Sequence, residues 1–146
     1  MRRCSPGPMG QGGRDPDLMA RRWVGLAMLG LILLLYWPAL GADFVGFDDP
    51  VYVSRNPDVL RGFSWAEVRW AFTSFRESNW HPLTWLSLML DSTFFGLQAP
   101  GYRFTNLLLH WANAALLLAL LNRSAGRFWL AALVSVFFAA HPQHVE

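Results

Sequence analysis

From Trp23 to Leu40 the chain runs eighteen residues without a charge, and none appears until Asp43. As an α-helix that run is about 27 Å long, close to the hydrocarbon thickness of a bilayer. Trp23 at one end, with Tyr36 and Trp37 at the other, suits the two membrane interfaces. The competing assignment is a cleaved signal peptide, with Ala39-Leu40-Gly41 as its cleavage site. The run exceeds the roughly 7–15 apolar residues of such a segment, which favours an uncleaved anchor. A second apolar run spans Phe104 to Leu121 and a third spans Phe128 to Ala140, just before His141-Pro142. The third gives only about 20 Å of helix, short for a span. The pattern predicts an all-α membrane protein of two to three transmembrane helices. A disordered basic tail is expected over 1–22 and a transmembrane helix over 23–42. A large loop follows over 43–103, then a second transmembrane helix over 104–121, a turn over 122–127 and a short third helix over 128–146.

The 61-residue loop is too long for an idle connection and has its own periodicity. Ser64-Trp65-Ala66-Glu67 reads as a capping box that starts a helix reaching about Phe75. Trp65, Val68, Phe72 and Phe75 then share one stripe, as in a helix lying in the headgroup plane or against the protein's own bundle. A second loop helix is expected from Pro82, which suits a first helical position, to Phe95, with Gly96 as its C-cap. Ala99-Pro100-Gly101 reads as a turn into the second span. Both loop helices serve equally well as packing elements or as contacts to a lipid-linked ligand.

Composition sharpens the membrane assignment. Of 146 residues, 53% are hydrophobic and 15% charged, against about 25% charged in soluble domains. That balance excludes a soluble domain and a disordered chain. All twelve basic residues are Arg, which suggests GC-rich coding and hence a bacterial inner membrane. Residues 1–22 hold five Arg and the 122–127 turn two, whereas the long loop sets five Arg against seven carboxylates. The positive-inside rule then puts the N-terminus and the turn in the cytoplasm, and the loop outside it. The sequon-like Asn122-Arg123-Ser124 falls on the cytoplasmic side and carries no glycan reading. The Arg residues form no face for nucleic acid, so none is expected as a partner. The lone Cys4 has no internal disulfide partner and reads as inert. Two or three spans are few for a membrane enzyme, so the chain is expected to be a fragment.

Four groups of residues have the chemistry of a site. Asp48-Asp49-Pro50 places two carboxylates just beyond the first span, where repulsion near a low-dielectric surface raises at least one pKa. One carboxylate there has the means to act as general base, the pair to hold a divalent cation, and Asp before Pro also simply makes a turn. On the second span Arg103, Asn106, His110 and Asn113 follow i, i+3, i+7, i+10 and share a face, either a polar wall beside a cavity or a source of interhelical hydrogen bonds. His141-Pro142-Gln143-His144-Val145-Glu146 invites a metal, but matches no zinc-site spacing, so no metal site is assigned. In Asn79-Trp80-His81-Pro82-Leu83-Thr84-Trp85 a histidine stands between two tryptophans. It is suited to a sugar or phosphate, and equally to capping and interface anchoring.

Together these segments resemble a known pattern. Phe47-Asp48-Asp49-Pro50-Val51-Tyr52, the Trp80-His81-Pro82-Leu83-Thr84-Trp85 run, Tyr102 to His110 and the His-Pro-Gln-His-Val-Glu run occur in the order found in transmembrane-and-tetratricopeptide-repeat (TMTC-like) proteins. That group is similar to the protein O-mannosyltransferases of the GT-C superfamily. The resemblance covers about residues 24–146, and the Trp-His-Pro-Leu-Thr-Trp run is its most specific part. It implies a fragment of a GT-C-like bundle, from a glycosyltransferase that takes a sugar, mannose by the same likeness, from a polyprenyl-phosphate donor. The partners implied are the bilayer, that lipid-linked sugar and a hydroxyl-bearing acceptor such as a protein. The donor is a co-substrate, and no cofactor is implied. Asp48 and Asp49 fall at the family's acidic motif and become the catalytic candidates. Trp80, His81, Arg103, His110 and His141 are the candidates for donor binding. The alternative is a non-enzymatic anchor or assembly module of a tetratricopeptide-repeat protein, with the same residues as structural turns.

Overall fold

The structure is a computed structural model and describes residues 16–46 and 48–141. The expectations for Cys4 and the first fifteen residues, for Phe47, and for the run from Pro142 to Glu146 lie outside them. Among the described residues six α-helices form: α1 (Pro16–Leu40), α2 (Pro57–Leu60), α3 (Trp65–Thr73), α4 (Pro82–Phe95), α5 (Ala99–Ala125) and α6 (Phe128–Ala140). A π-helical turn at Pro50–Ser54 and a 3₁₀ turn at Arg76–Ser78 complete the loop. No strand occurs among the described residues. The molecule is an all-α membrane protein: α1 and α5 are each long and apolar enough to cross a bilayer.

These helices bury two cores. Met28 and Ile32 of α1, Leu107, Ala114 and Leu118 of α5, and Ala131, Ala132 and Ala139 of α6 pack into a three-helix bundle. The small residues of α6 let it approach α5 closely, as expected where helices meet in lipid. Trp111 of α5 ties the bundle across by donating its indole N–H to the Gly25 carbonyl of α1, at 3.0 Å. Outside this core, large apolar side chains such as Leu34, Leu116, Trp129 and Phe137 remain exposed, as a lipid-facing surface requires. The second core belongs to the loop: Val59, Ala71, Trp85 and Met89, with Tyr52 and Trp70 packed on it. Helix α4 touches α5 and joins the two.

Several boundaries differ from the expectations. Helix α1 is described from Pro16 onward, so residues 16–22, expected within a disordered tail, are helical. Helix α5 absorbs Ala99-Pro100-Gly101, expected as a turn, and runs on to Ala125 through most of the second expected turn. The corner into α5 is made one step earlier, at Gly96 (φ +60°). Gly101 sits so close to the Phe95 ring that any Cβ would collide with it. The Tyr102 hydroxyl locks the corner by donating to the Gly96 carbonyl at 2.8 Å. Gly126 (φ +63°) alone supplies the left-handed turn before α6.

The loop helix α3 stops at Thr73, two residues short of its expected end. Its buried face is Glu67 and Ala71, with Trp70 half-buried, and its stripe of Trp65, Phe72 and Phe75 points outward. The stripe is therefore not packed against the described bundle. The Ser64 hydroxyl bonds the Glu67 carboxylate and not the backbone, so the two side chains of the expected capping box pair with each other and neither caps the helix. That bond and the nearby Arg61 hold the Glu67 carboxyl below the usual carboxylate range.

Candidate functional site

The loop meets the bundle in a cleft of about 440 Å³ whose lining includes Asp48, Asp49, Tyr52, Thr84, Arg103 and Asn106. The acidic pair stands at the head of the π-helical turn. The Asp48 carbonyl accepts the amides of Val51 and Tyr52, each at 3.0 Å, which fixes the backbone of the pair. The two side chains then differ. Asp49 Oδ2 accepts the Val45 amide at 2.6 Å and ties the turn to the chain leaving α1. The Asp48 carboxylate is exposed and bonds to no described residue. Its oxygens are open to a ligand in the cleft.

Arg103 enters from the second turn of α5. Its Nε donates to the Ala42 carbonyl at 2.9 Å and its Nη2 to the Asp43 carbonyl at 2.5 Å. The guanidinium thus clamps the start of the loop onto α5. Its Nη1 makes no bond to a described residue and stays available to an anion.

Tyr52 forms the back wall. Its ring stacks on Trp85 (5.1 Å, 18°) and on His81 (5.7 Å, 23°), while its position in the chain binds it to the acidic turn. The Trp80-to-Trp85 run therefore supports the acidic motif through a shared aromatic stack. Within it the buried His81 Nε2 and Trp85 Nε1 lack a partner among the described residues.

Of the seven residues expected at a site, the structure brings Asp48, Asp49 and Arg103 together in the cleft. His81 stands behind Tyr52. Trp80 is turned away, its indole donating to the Phe72 carbonyl at 2.9 Å to close the end of α3. His110 is buried in the bundle with Nε2 3.0 Å from the Ala139 carbonyl, and Tyr36 meets its ring edge-on. It fills the interhelical role that the polar stripe left open. His141 follows α6, its carbonyl accepting the Tyr36 hydroxyl at 3.1 Å. Neither histidine lines the cleft. Among the described residues no cluster of His, Cys, Asp and Glu has the makings of a metal site.

Three features escaped the sequence reading. Tyr52 and Thr84 line the cleft, and only their place inside the two motif runs pointed to them. Asp91, buried between α4 and α5, accepts the Thr105 hydroxyl at 2.6 Å. Burial pushes its carboxyl above the usual range, and the Thr105 bond offsets only part of that. An Asp within an apolar helix was the available signal.

These features define a class: a helical membrane protein with an acid-and-arginine cleft where an ordered loop meets its spans. Comparison with known proteins narrows it. The chain is 32% identical to "Protein O-mannosyl-transferase tmtc2" of Xenopus laevis over 123 residues, 78% of this chain and 14% of that protein. It is 33% identical to the Drosophila melanogaster Tmtc2 protein over 124 residues, 80% of this chain and 13% of that one. For human TMTC2 the figures are 30% over 128 residues, 83% and 15%. The chain is therefore TMTC-like over about four-fifths of its length. It spans about one-seventh of the length of the curated relatives it matches. No family model and no solved structure matches it.

Proposed function

We propose that this chain supplies the acidic cleft of a membrane glycosyltransferase that moves mannose from a polyprenyl-phosphate donor to a protein hydroxyl. The observation that carries the proposal is the unpartnered Asp48 carboxylate beside Arg103, in a chain similar to proteins named as O-mannosyl-transferases. In the proposed reaction Asp48 removes the proton from the acceptor hydroxyl as its oxygen bonds to the sugar's anomeric carbon. The bond from that carbon to the phosphate oxygen breaks, and the polyprenyl phosphate leaves with the electron pair. Phosphate is a good leaving group, so one carboxylate suffices where a glycosidase needs two. The free N–H groups of Arg103 offset the charge that develops on it. Asp49 and Tyr52 hold the base in place. No cofactor enters these steps.

The proposed orientation places the N-terminus and the Gly126 turn on the cytosolic side and the cleft on the other. The matched relatives named here are animal proteins, so they lend no support to the bacterial inner membrane expected from Arg usage. The test is replacement of both Asp48 and Asp49 by Asn in a full-length parent. Mannosyl transfer should disappear while the protein still accumulates in the membrane, and unchanged transfer would sink the assignment. The rival role, an assembly module, draws on the bonds of Asp49 and Arg103 to loop backbone, which a purely structural turn also makes. Translation of the coding DNA beyond Glu146 separates the two. Roughly ten further spans favour the enzyme, and an immediate soluble repeat domain favours the module.

A further inference from the structure

A second cleft lies at the other end of the bundle. It encloses about 550 Å³, and its polar lining is Arg21 of α1 with Asn122 and Arg123 of α5. Neither arginine forms an ion pair with a residue whose side chain is described, and no carboxylate among those residues lines the cleft. Phe128, the first residue of α6, stands at its edge, and the N-terminus of that 13-residue helix has no side-chain cap. Its unpaired amides and the positive end of its dipole add to the field of the arginines. The opposing negative end of α5 carries Arg123 in its last turn, and its roughly half charge is smaller than the charges of the two arginines. The cleft is built for an anion.

Its depth says which kind. Arg123 follows Arg103 by twenty residues on one continuous helix, about 30 Å along the axis. One arginine at each end therefore spans the hydrocarbon, and Arg123 lies at headgroup level. The remaining walls, Gly25, Ala115, Leu118 and Ala119, are apolar and belong to deeper turns. Ala115 lies about 12 Å nearer the bilayer centre than Arg123. A free phosphate has no use for that apolar extension, whereas an acyl chain fills it. We infer that this cleft binds an anionic membrane phospholipid, with its phosphate held by Arg21, Arg123 and Asn122 and its acyl chain against Ala115, Leu118 and Ala119. The site stands apart from the acidic cleft and does not depend on the transferase reading.

The test is native mass spectrometry of the full 146-residue chain in detergent, titrated with phosphatidylglycerol or with phosphatidylcholine of the same acyl chains. One phosphatidylglycerol should be retained in preference. Arg21→Gln with Arg123→Gln should weaken it by about thirtyfold, as two headgroup-level charges are removed. A control pair, Arg22→Gln with Arg127→Gln, removes the same charge outside the cleft and should bind as the parent does. Ala119→Phe keeps every charge but fills the cleft, and should also displace the lipid. Circular dichroism confirms that each variant keeps its helices. The inference is overturned if the control pair loses as much as the cleft pair, or if Ala119→Phe retains the lipid. It is equally overturned if phosphatidylcholine binds as well, or if inorganic phosphate competes as well as the lipid.

Discussion

Asp48 and Asp49 are neighbours with unequal tasks. Asp49 is committed to the Val45 amide, whereas the Asp48 side chain, also lining the cleft, bonds to no described residue. In a full-length parent, Asp48→Asn alone should lower mannosyl transfer by about a hundredfold or more, the usual contribution of a general base. Its donor KM should change little, and kinetics with the lipid-linked sugar check both. Arg103→Ala removes two charge-assisted hydrogen bonds from the loop. It should destabilise the loop by about 2–4 kcal/mol, read as faster amide exchange over residues 42–56. Arg103→Lys should fall between parent and alanine, since one ammonium does not reproduce the two-pronged grip. Asp91 offers a third residue-level check. Its native pKa is raised, so the native state binds protons more tightly than the unfolded chain, and stability falls as pH rises through the native value. Asp91→Asn should therefore raise thermal stability at neutral pH by about 1 kcal/mol. The gain should vanish in acid, where the parent carboxyl is protonated. A melting series across pH tests this.

At the scale of elements, the corner between α4 and α5 shows how sequence and structure part. Helix α6 matches the apolar run residue for residue, and Pro82 starts α4 as expected. Both were legible because an uninterrupted apolar stretch, or a proline at a helix start, acts locally. Ala99-Pro100-Gly101 has the composition of a turn, yet Gly101 is required by the Phe95 ring pressed against it, a tertiary contact that no local pattern carries. Gly101→Ala should cost about 1–3 kcal/mol, seen as a lower thermal midpoint. The polar stripe of α5 teaches the same. Arg103 and His110 share a face, but that face meets the loop at Arg103 and the end of α6 at His110. Spacing identified the face and not the neighbour. Likewise the acidic pair and Arg103 lie more than fifty residues apart, and only the fold makes them one cleft.

At the scale of the whole molecule, the two clefts occupy opposite ends of one bundle, one acidic and arginine-clamped, the other lined by two arginines among the described residues. The orientation is testable directly. With Cys4 replaced by Ser, a thiol introduced at Asn79 should react with a membrane-impermeant reagent from the non-cytosolic side. One at Ser124 should react only after the membrane is opened. Reaction of both from the same side would refute the two-span topology.

The clamp of Arg103 on Ala42 and Asp43 has a mechanical consequence. Because α5 is one unbroken rod bolted to the loop near its end, the loop has no independent height of its own. A thinner or thicker bilayer tilts the rod to fit, and the Asp48 carboxylate rides with it. The carboxylate then rises or sinks relative to the phosphates of the surrounding leaflet. Bilayer thickness thus becomes a dial on the alignment of this carboxylate with anything that stays anchored in the lipid.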